Sequence, residues 1–430
     1  MLVGPEVEVA TIGQKIQAKK PKIAVLGYAS SMVWKIQGAG LILMTFMSFF
    51  PELSHVEVYL FFALLLSALG VAWLEGRAIR VRTPLDLPLA LFLGWVLLTI
   101  PFATDAAYSF SEWRKLAAKI LVFYWAIFVL RVQPNNRTVL RGVLVAVIFG
   151  AAIMCGYALV DFVQRGGSWK DRYVEGVGAF VRARTPSSDN QWLSTYMVMV
   201  IPLLVSSIVI FRIKWQKAMC AFVAGLALLA QGISYTRAGW VGVVAQGLAF
   251  GPFTKRRGLT FWVIAGLTMI LVGLFAAFQA GYQRDTLDPW TLYARLAVWK
   301  LMLRDIMQHP LVGIGYGGDT FMMRFADYPE ATKAAGSHSA FAMVTLGSGI
   351  PALIFLVWVL GGAVRALIGL AGKVSDKGTY ALLIGTAIMI VGFAVRNLFD
   401  YMFAGSIAYL FWLLVATALA QGMADTASES

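Results

Sequence analysis

Apolar segments about as long as a lipid bilayer is thick recur along almost the whole chain. A helix needs roughly 20 apolar residues to cross the hydrocarbon core. Segments of that order lie at 36–51, 57–75, 85–103, 116–131, 139–163, 191–211, 217–235, 239–253, 259–281, 338–361, 379–396 and 401–421. The pattern predicts an all-α polytopic membrane protein of about twelve transmembrane helices, with 36–51 and 239–253 the shortest of the set. Composition excludes an ordinary soluble domain: 59% of residues are hydrophobic and only 13% charged, and the mean hydropathy is +0.74.

Charge sets an expected orientation. The first 35 residues are polar and lysine-rich and read as a cytoplasmic arm rather than a cleavable signal. Alternate loops then carry three basic residues each: Arg77, Arg80 and Arg82; Arg131, Arg137 and Arg141; Arg212, Lys214 and Lys217; Lys255, Arg256 and Arg257; Arg365, Lys373 and Lys377. The short loop 51–57 on the other side has none, so the positive-inside rule puts both termini in the cytoplasm. The resulting plan is an arm at 1–35, spans one to nine over 36–281, a large outward loop at 282–337, spans ten to twelve over 338–421, and a cytoplasmic tail at 422–430. Most of the net charge of +14 is then topology and signals no nucleic-acid partner. Cys155 and Cys220 both fall inside spans and read as buried apolar thiols, neither a disulfide nor a metal site.

Chemistry needs polar residues, and two outward loops supply them, about 164–190 and 282–337. In the second, "DPWTLYARLAVWKLMLRDIMQHP" offers Asp288 as N-cap and Pro289 as first helical residue. Leu292, Leu296, Trp299, Leu303 and Ile306 recur there at helical spacing, which predicts an amphipathic helix lying on the membrane or packed against the bundle. The following "LVGIGYGGDTF" is glycine-rich, but no strand precedes it, so a tight turn is the expected reading rather than a nucleotide loop.

The chain has only three histidines. His338 stands where the large loop enters span ten, with Ser337 the expected N-cap and the imidazole in the first helical turn. The positive end of the helix dipole there favours a neutral ring, the form that serves as a general base. Arginines gather at the outward ends of the spans: Arg182, Arg184, Arg237, Arg284, Arg295 and Arg396. Arg237 lies in "SYTRAGWVG", a hairpin of few residues between two apolar segments, and a guanidinium fork matches phosphate geometry. Asn397 and Asp400 in "VRNLFDYMF" would orient a base or an arginine, or mark a turn. No D-x-D sequence occurs, so no metal or other cofactor is expected and arginines would carry the charge of a pyrophosphate.

Three stretches together, "SYTRAGWVG", "RLAVWKLMLRDIMQHPLVGIGYGGDTF" and "SHSAFAMVTLGSGIPALIF", resemble in order and spacing the core shared by bacterial O-antigen ligases and O-antigen polymerases. The likeness covers about residues 190–355. The resemblance implies a GT-C-like helical fold and a metal-independent inverting glycosyltransferase at the inner membrane, its site facing the periplasm. The implied donor is a glycan on undecaprenyl pyrophosphate and the implied acceptor the lipid A–core oligosaccharide, so that lipopolysaccharide is completed. It further implies His338 as general base on the acceptor hydroxyl, with Arg237 and Arg295, and Arg184 and Arg284 beside them, on the pyrophosphate. Ser339 stands where many relatives have asparagine.

A polymerase or a protein O-oligosaccharyltransferase would share this chemistry. The single dominant outward loop favours the ligase. A transporter is the reading from another class, and it predicts internal repeats and ionisable residues at the bilayer midplane. The sequence shows neither.

Overall fold

The computed structural model describes residues 30–79, 81–133, 136–167, 181–187, 189–254, 289–329 and 338–429. Span nine at 259–281, Arg284, Asp288 and Ser337 lie outside them. The chain forms α1 (30–47), α2 (Ser54–Leu74), α3 (Asp86–Thr99), α4 (Ala106–Val132), α5 (Asn136–Gln164), α6 (Asn190–Ile210), α7 (Lys214–Ile233) and α8 (Arg237–Thr254). It continues as α9 (Pro289–Gln308), the short α10 (Thr320–Phe325), α11 (Ala340–Ala371), α12 (Lys377–Asn397) and α13 (Gly405–Glu429).

Every expected span except the ninth falls on one of these helices, yet seven of them are long and apolar enough to cross a membrane by themselves. With its 3-10 extension to Phe102, α3 is a shorter apolar helix. The expected twelve therefore includes helices that length and composition do not mark as spans. In α4 the reason is visible, since Glu112, Arg114, Lys115 and Lys119 crowd its first half. The expected boundaries shift as well. Helix α1 starts inside the predicted arm, and α13 runs through the predicted tail to Glu429.

Local chemistry explains the helix starts. Asp105, Asp189 and Asp376 each accept from a backbone N–H of the turn they precede, at 2.9 Å from Tyr108, 2.6 Å from Gln191 and 2.8 Å from Thr379. Centrally placed α12 packs on α6, α8, α11 and α13. It approaches α8 so closely that a Cβ on Gly242 would lie 2.9 Å from the Gly392 carbonyl oxygen. Small residues at helix contacts let backbones meet in this way.

Of the residues that the spacing groups on α9, Trp299 and Ile306 pack on the bundle. Val298, Met302 and Asp305 are buried, whereas Leu296 and Leu303 are exposed. The neighbours decide this outcome. Val298 and Met302 join Ile314, Phe321, Phe325, Met343 and Leu346 in a separate apolar cluster, and Asp305 turns inward because Arg324 on α10 meets it at 2.9 Å.

In α11 the helix is broken near its start. Ser348 and Gly349 leave helical geometry, Gly349 with φ +79° and ψ 176°, and Pro351 follows. Pro351 has no N–H for the Gly347 carbonyl, which would otherwise be orphaned in an apolar setting. The glycine-rich turn after α9 repairs the break: Gly315 N–H donates to Gly347 O and Ile314 N–H to Leu346 O, each at 2.9 Å. The displaced Ile350 N–H donates to Pro310 O at 2.8 Å, and the Trp95 indole donates to Ser348 O at 2.9 Å. Backbone thus lies directly on backbone. A Cβ on Gly313 would fall 2.5 Å from Leu346 O, and one on Gly349 2.0 Å from Leu311 O. The glycines are there for this contact, and the N–H groups of Gly313, Ile314 and Gly315 all donate to main-chain carbonyls rather than to a phosphate.

Candidate active site

His338 sits just before α11, not in its first turn. The N-cap is Ser339, whose hydroxyl accepts from Ala342 N–H at 3.2 Å, so the predicted cap by Ser337 is replaced. Ser339 thereby acts on the helix start. His338 itself has φ +50°, a left-handed backbone that costs a non-glycine residue on the order of 1–2 kcal/mol. What holds it is the flanking geometry, since Ala340 N–H donates to the Asp400 carbonyl at 2.9 Å. Strain of this kind persists where surrounding contacts over-determine the backbone.

The same turn that supplies this carbonyl supplies the carboxylate. Asp400 lies between α12 and α13, with Oδ1 3.7 Å from His338 Nδ1 and Oδ2 3.5 Å from an Arg396 terminal nitrogen. Arg396 is fully buried, Asp400 nearly so, and the imidazole keeps a quarter of its surface exposed. Both distances exceed direct hydrogen bonds and leave the carboxylate shared between a buried cation and a half-open ring. Asn397 serves the turn: its amide donates to Phe393 O at 2.9 Å and its oxygen accepts from Met402 N–H at 3.0 Å.

Contacts run from this centre to the arginine hairpin. Arg396 Nη2 donates to the Gln191 carbonyl at 2.8 Å and to its side-chain oxygen at 3.1 Å. The adjacent Asn190 amide donates to Thr236 Oγ1 at 3.1 Å, and Arg237, the next residue, opens α8 with its side chain exposed. Alongside runs the segment of Arg184, where Ala183 N–H donates to Ile233 O at 2.9 Å. Half-buried, Arg184 itself reaches Asp161 at 3.4 Å, a carboxylate it shares with Arg165. Arg295 is half-buried on α9, one turn before Val298 in the cluster that also holds Met343 of α11.

A small cavity beside Ala340 is lined by Tyr316, Tyr401, Trp412 and Lys119. Burial pushes the Tyr316 phenol well above the usual tyrosine range, so it stays neutral at any physiological pH.

Residues 222–357 match the family model described as O-antigen ligase. The chain carries an O-antigen ligase family domain. The matched stretch runs from within α7 through Arg237 and Arg295 to His338 and the break in α11. No individual curated protein matches the chain. Asp400 and Arg396 fall outside the matched domain, and the fold brings them to its histidine. Of the two, Arg396 has the part that sequence reasoning does not assign. Its signal is the rule that a cation buried in an apolar helix needs a partner, with Asp400 four residues on in the turn that follows α12.

Proposed function

We propose that the protein is an O-antigen ligase. It transfers a glycan from undecaprenyl pyrophosphate to a sugar hydroxyl of lipid A–core at the periplasmic face of the inner membrane, with inversion and without a metal. The observation that carries this reading is the convergence of the family domain's histidine with Asp400 and Arg396 at one end of the helix bundle. His338 accepts the proton of the acceptor hydroxyl through the ring nitrogen that does not face Asp400, while Asp400 fixes the ring's orientation. Arg237 and Arg295, with Arg184 and Arg284, take up the charge that grows on the departing pyrophosphate. Catalytic hydrogen bonds are often long before substrate binds, which fits the 3.7 Å separation.

The deciding experiment is product formation by purified protein in EDTA from lipid-linked glycan and lipid A–core. Loss of a general base is worth about 10²–10⁴ in rate, so His338→Ala should yield almost no capped core while unfolding at the wild-type temperature. Equal product from both proteins would remove His338 from the chemistry. Glycan extended on the lipid carrier, with no capped core, would make the enzyme a polymerase.

A further inference from the structure

At the other end of the bundle a second site is built from parts that the proposed chemistry does not use. A cavity of about 430 Å³ opens where α5 and α12 begin and α6 ends, and it is lined by Arg137, Arg141, Arg212, Asp376, Lys377 and Thr379. It lies on the face opposite His338: Gln191 and Arg396 occupy the far ends of α6 and α12, about 30 Å away along helices of roughly 20 residues. The positive-inside rule puts this face in the cytoplasm.

The charges here are unbalanced. Asp376 is occupied in capping α12, accepting from Thr379 N–H at 2.8 Å. Asp425, next to the cavity, accepts from Thr379 Oγ1 and Gln421 and meets Arg137 at 3.7 Å. Arg141, Arg212 and Lys377 have no carboxylate within ion-pair range among the described residues. Three like charges around one concavity repel each other unless an anion enters. The membrane side of the cavity is apolar, with Leu140, Val209 and Ile210 in its wall and Val209 about half exposed. A ligand with a phosphate at the pocket and acyl chains along α5 and α6 satisfies both halves.

We propose that this cavity binds the phosphodiester headgroup of an anionic phospholipid of the inner leaflet. Basic pockets between membrane helices on the cytoplasmic side are suited to such headgroups, and each cation near the surface adds about 1 kcal/mol, roughly fivefold in affinity.

The test uses the full chain in neutral detergent, with thermal unfolding followed as dihexanoyl phosphatidylglycerol, dihexanoyl phosphatidylcholine or inorganic phosphate is added. Phosphatidylglycerol should raise the midpoint of the wild type, and phosphatidylcholine should not. Arg141→Gln with Arg212→Gln should weaken the apparent affinity about 25-fold, and Arg141→Lys with Arg212→Lys should retain most of it. Should the glutamine pair fail to fold, Lys377→Gln alone should still weaken binding about fivefold. Equal midpoint shifts in wild type and variants would overturn the assignment, as would a response to inorganic phosphate matching that to the lipid.

Discussion

Replacing Gly349 with alanine tests whether the break in α11 is a built feature that the loop after α9 must fit. At φ +79° and ψ 176° the residue occupies a region that is essentially glycine's alone, and another residue there costs about 1–3 kcal/mol. The added methyl would also lie 2.0 Å from Leu311 O and 2.3 Å from its carbonyl carbon, and main-chain atoms cannot rotate aside as a side chain would. Relief requires the loop to lift, which threatens the hydrogen bonds from Ile350 to Pro310, Ile314 to Leu346 and Gly315 to Gly347, each worth about 1 kcal/mol net. The combined cost is about 3–5 kcal/mol when part of the ladder is lost. Gly361 in the same helix is the control: a Cβ there meets nothing within 4 Å, and alanine should stabilise by about 0.5–1 kcal/mol through helix propensity. Thermal unfolding of the detergent-purified proteins, followed by tryptophan fluorescence, reads both. Gly349→Ala should melt well below wild type and Gly361→Ala at or above it. Matching midpoints for the two variants would refute the account of the break.

Three further outcomes follow from the geometry. Asp400→Asn should lower transfer about 100-fold or more by releasing the imidazole, and it should also cost about 3 kcal/mol because Arg396 is left buried without its carboxylate; activity and unfolding measured on one preparation would separate the two effects, and a fully active variant would refute the orienting role. Arg237→Lys should keep the wild-type midpoint, since the side chain is exposed, yet lose about tenfold or more in transfer because a point charge replaces the bidentate fork; wild-type turnover would argue against a phosphate contact. Asp376→Ala should cost about 1 kcal/mol at neutral pH. Hydrogen bonding from the Thr379 N–H holds the Asp376 carboxyl below its usual range, so this stabilisation is complete above the unfolded value of about 3.9 and disappears as pH falls through the lower folded value. Unfolding midpoints of wild type and variant should therefore differ from pH 7 down to pH 4 and converge only below that.

Helices were legible in the sequence because apolar length is a local property, and the segments at 139–163 and 191–211 coincide closely with α5 and α6. Which face of a helix packs is not local. The spacing in α9 groups Leu296 and Leu303 with Trp299 and Ile306, yet the first two are exposed, while Arg324 and the apolar loop cluster draw Asp305, Val298 and Met302 inward. Helix starts are ambiguous where hydroxyls are adjacent. The sequence reads Ser337 as the cap, but His338 takes a left-handed turn and the cap is Ser339. The partner of His338 comes from 62 positions along the chain, a pairing that no spacing rule reaches.

The break in α11 and the position of His338 belong to one construction. The two turns of α11 between them are tied at the start by Ala340 to the Asp400 carbonyl and at the end by the ladder to Ile314 and Gly315. A straight helix through Gly347 would leave the glycine-rich loop without those carbonyls, and a loop with side chains at Gly313 could not approach them. The short half-helix is thereby set from both ends, by the α12–α13 turn that holds Asp400 and by the loop that follows α9. Because α9 carries Arg295 and packs on α11, a displacement of the loop moves a candidate phosphate ligand and the histidine's supporting helix together. Substitutions in the glycine-rich turn should consequently reduce transfer even though none of its residues needs to touch substrate.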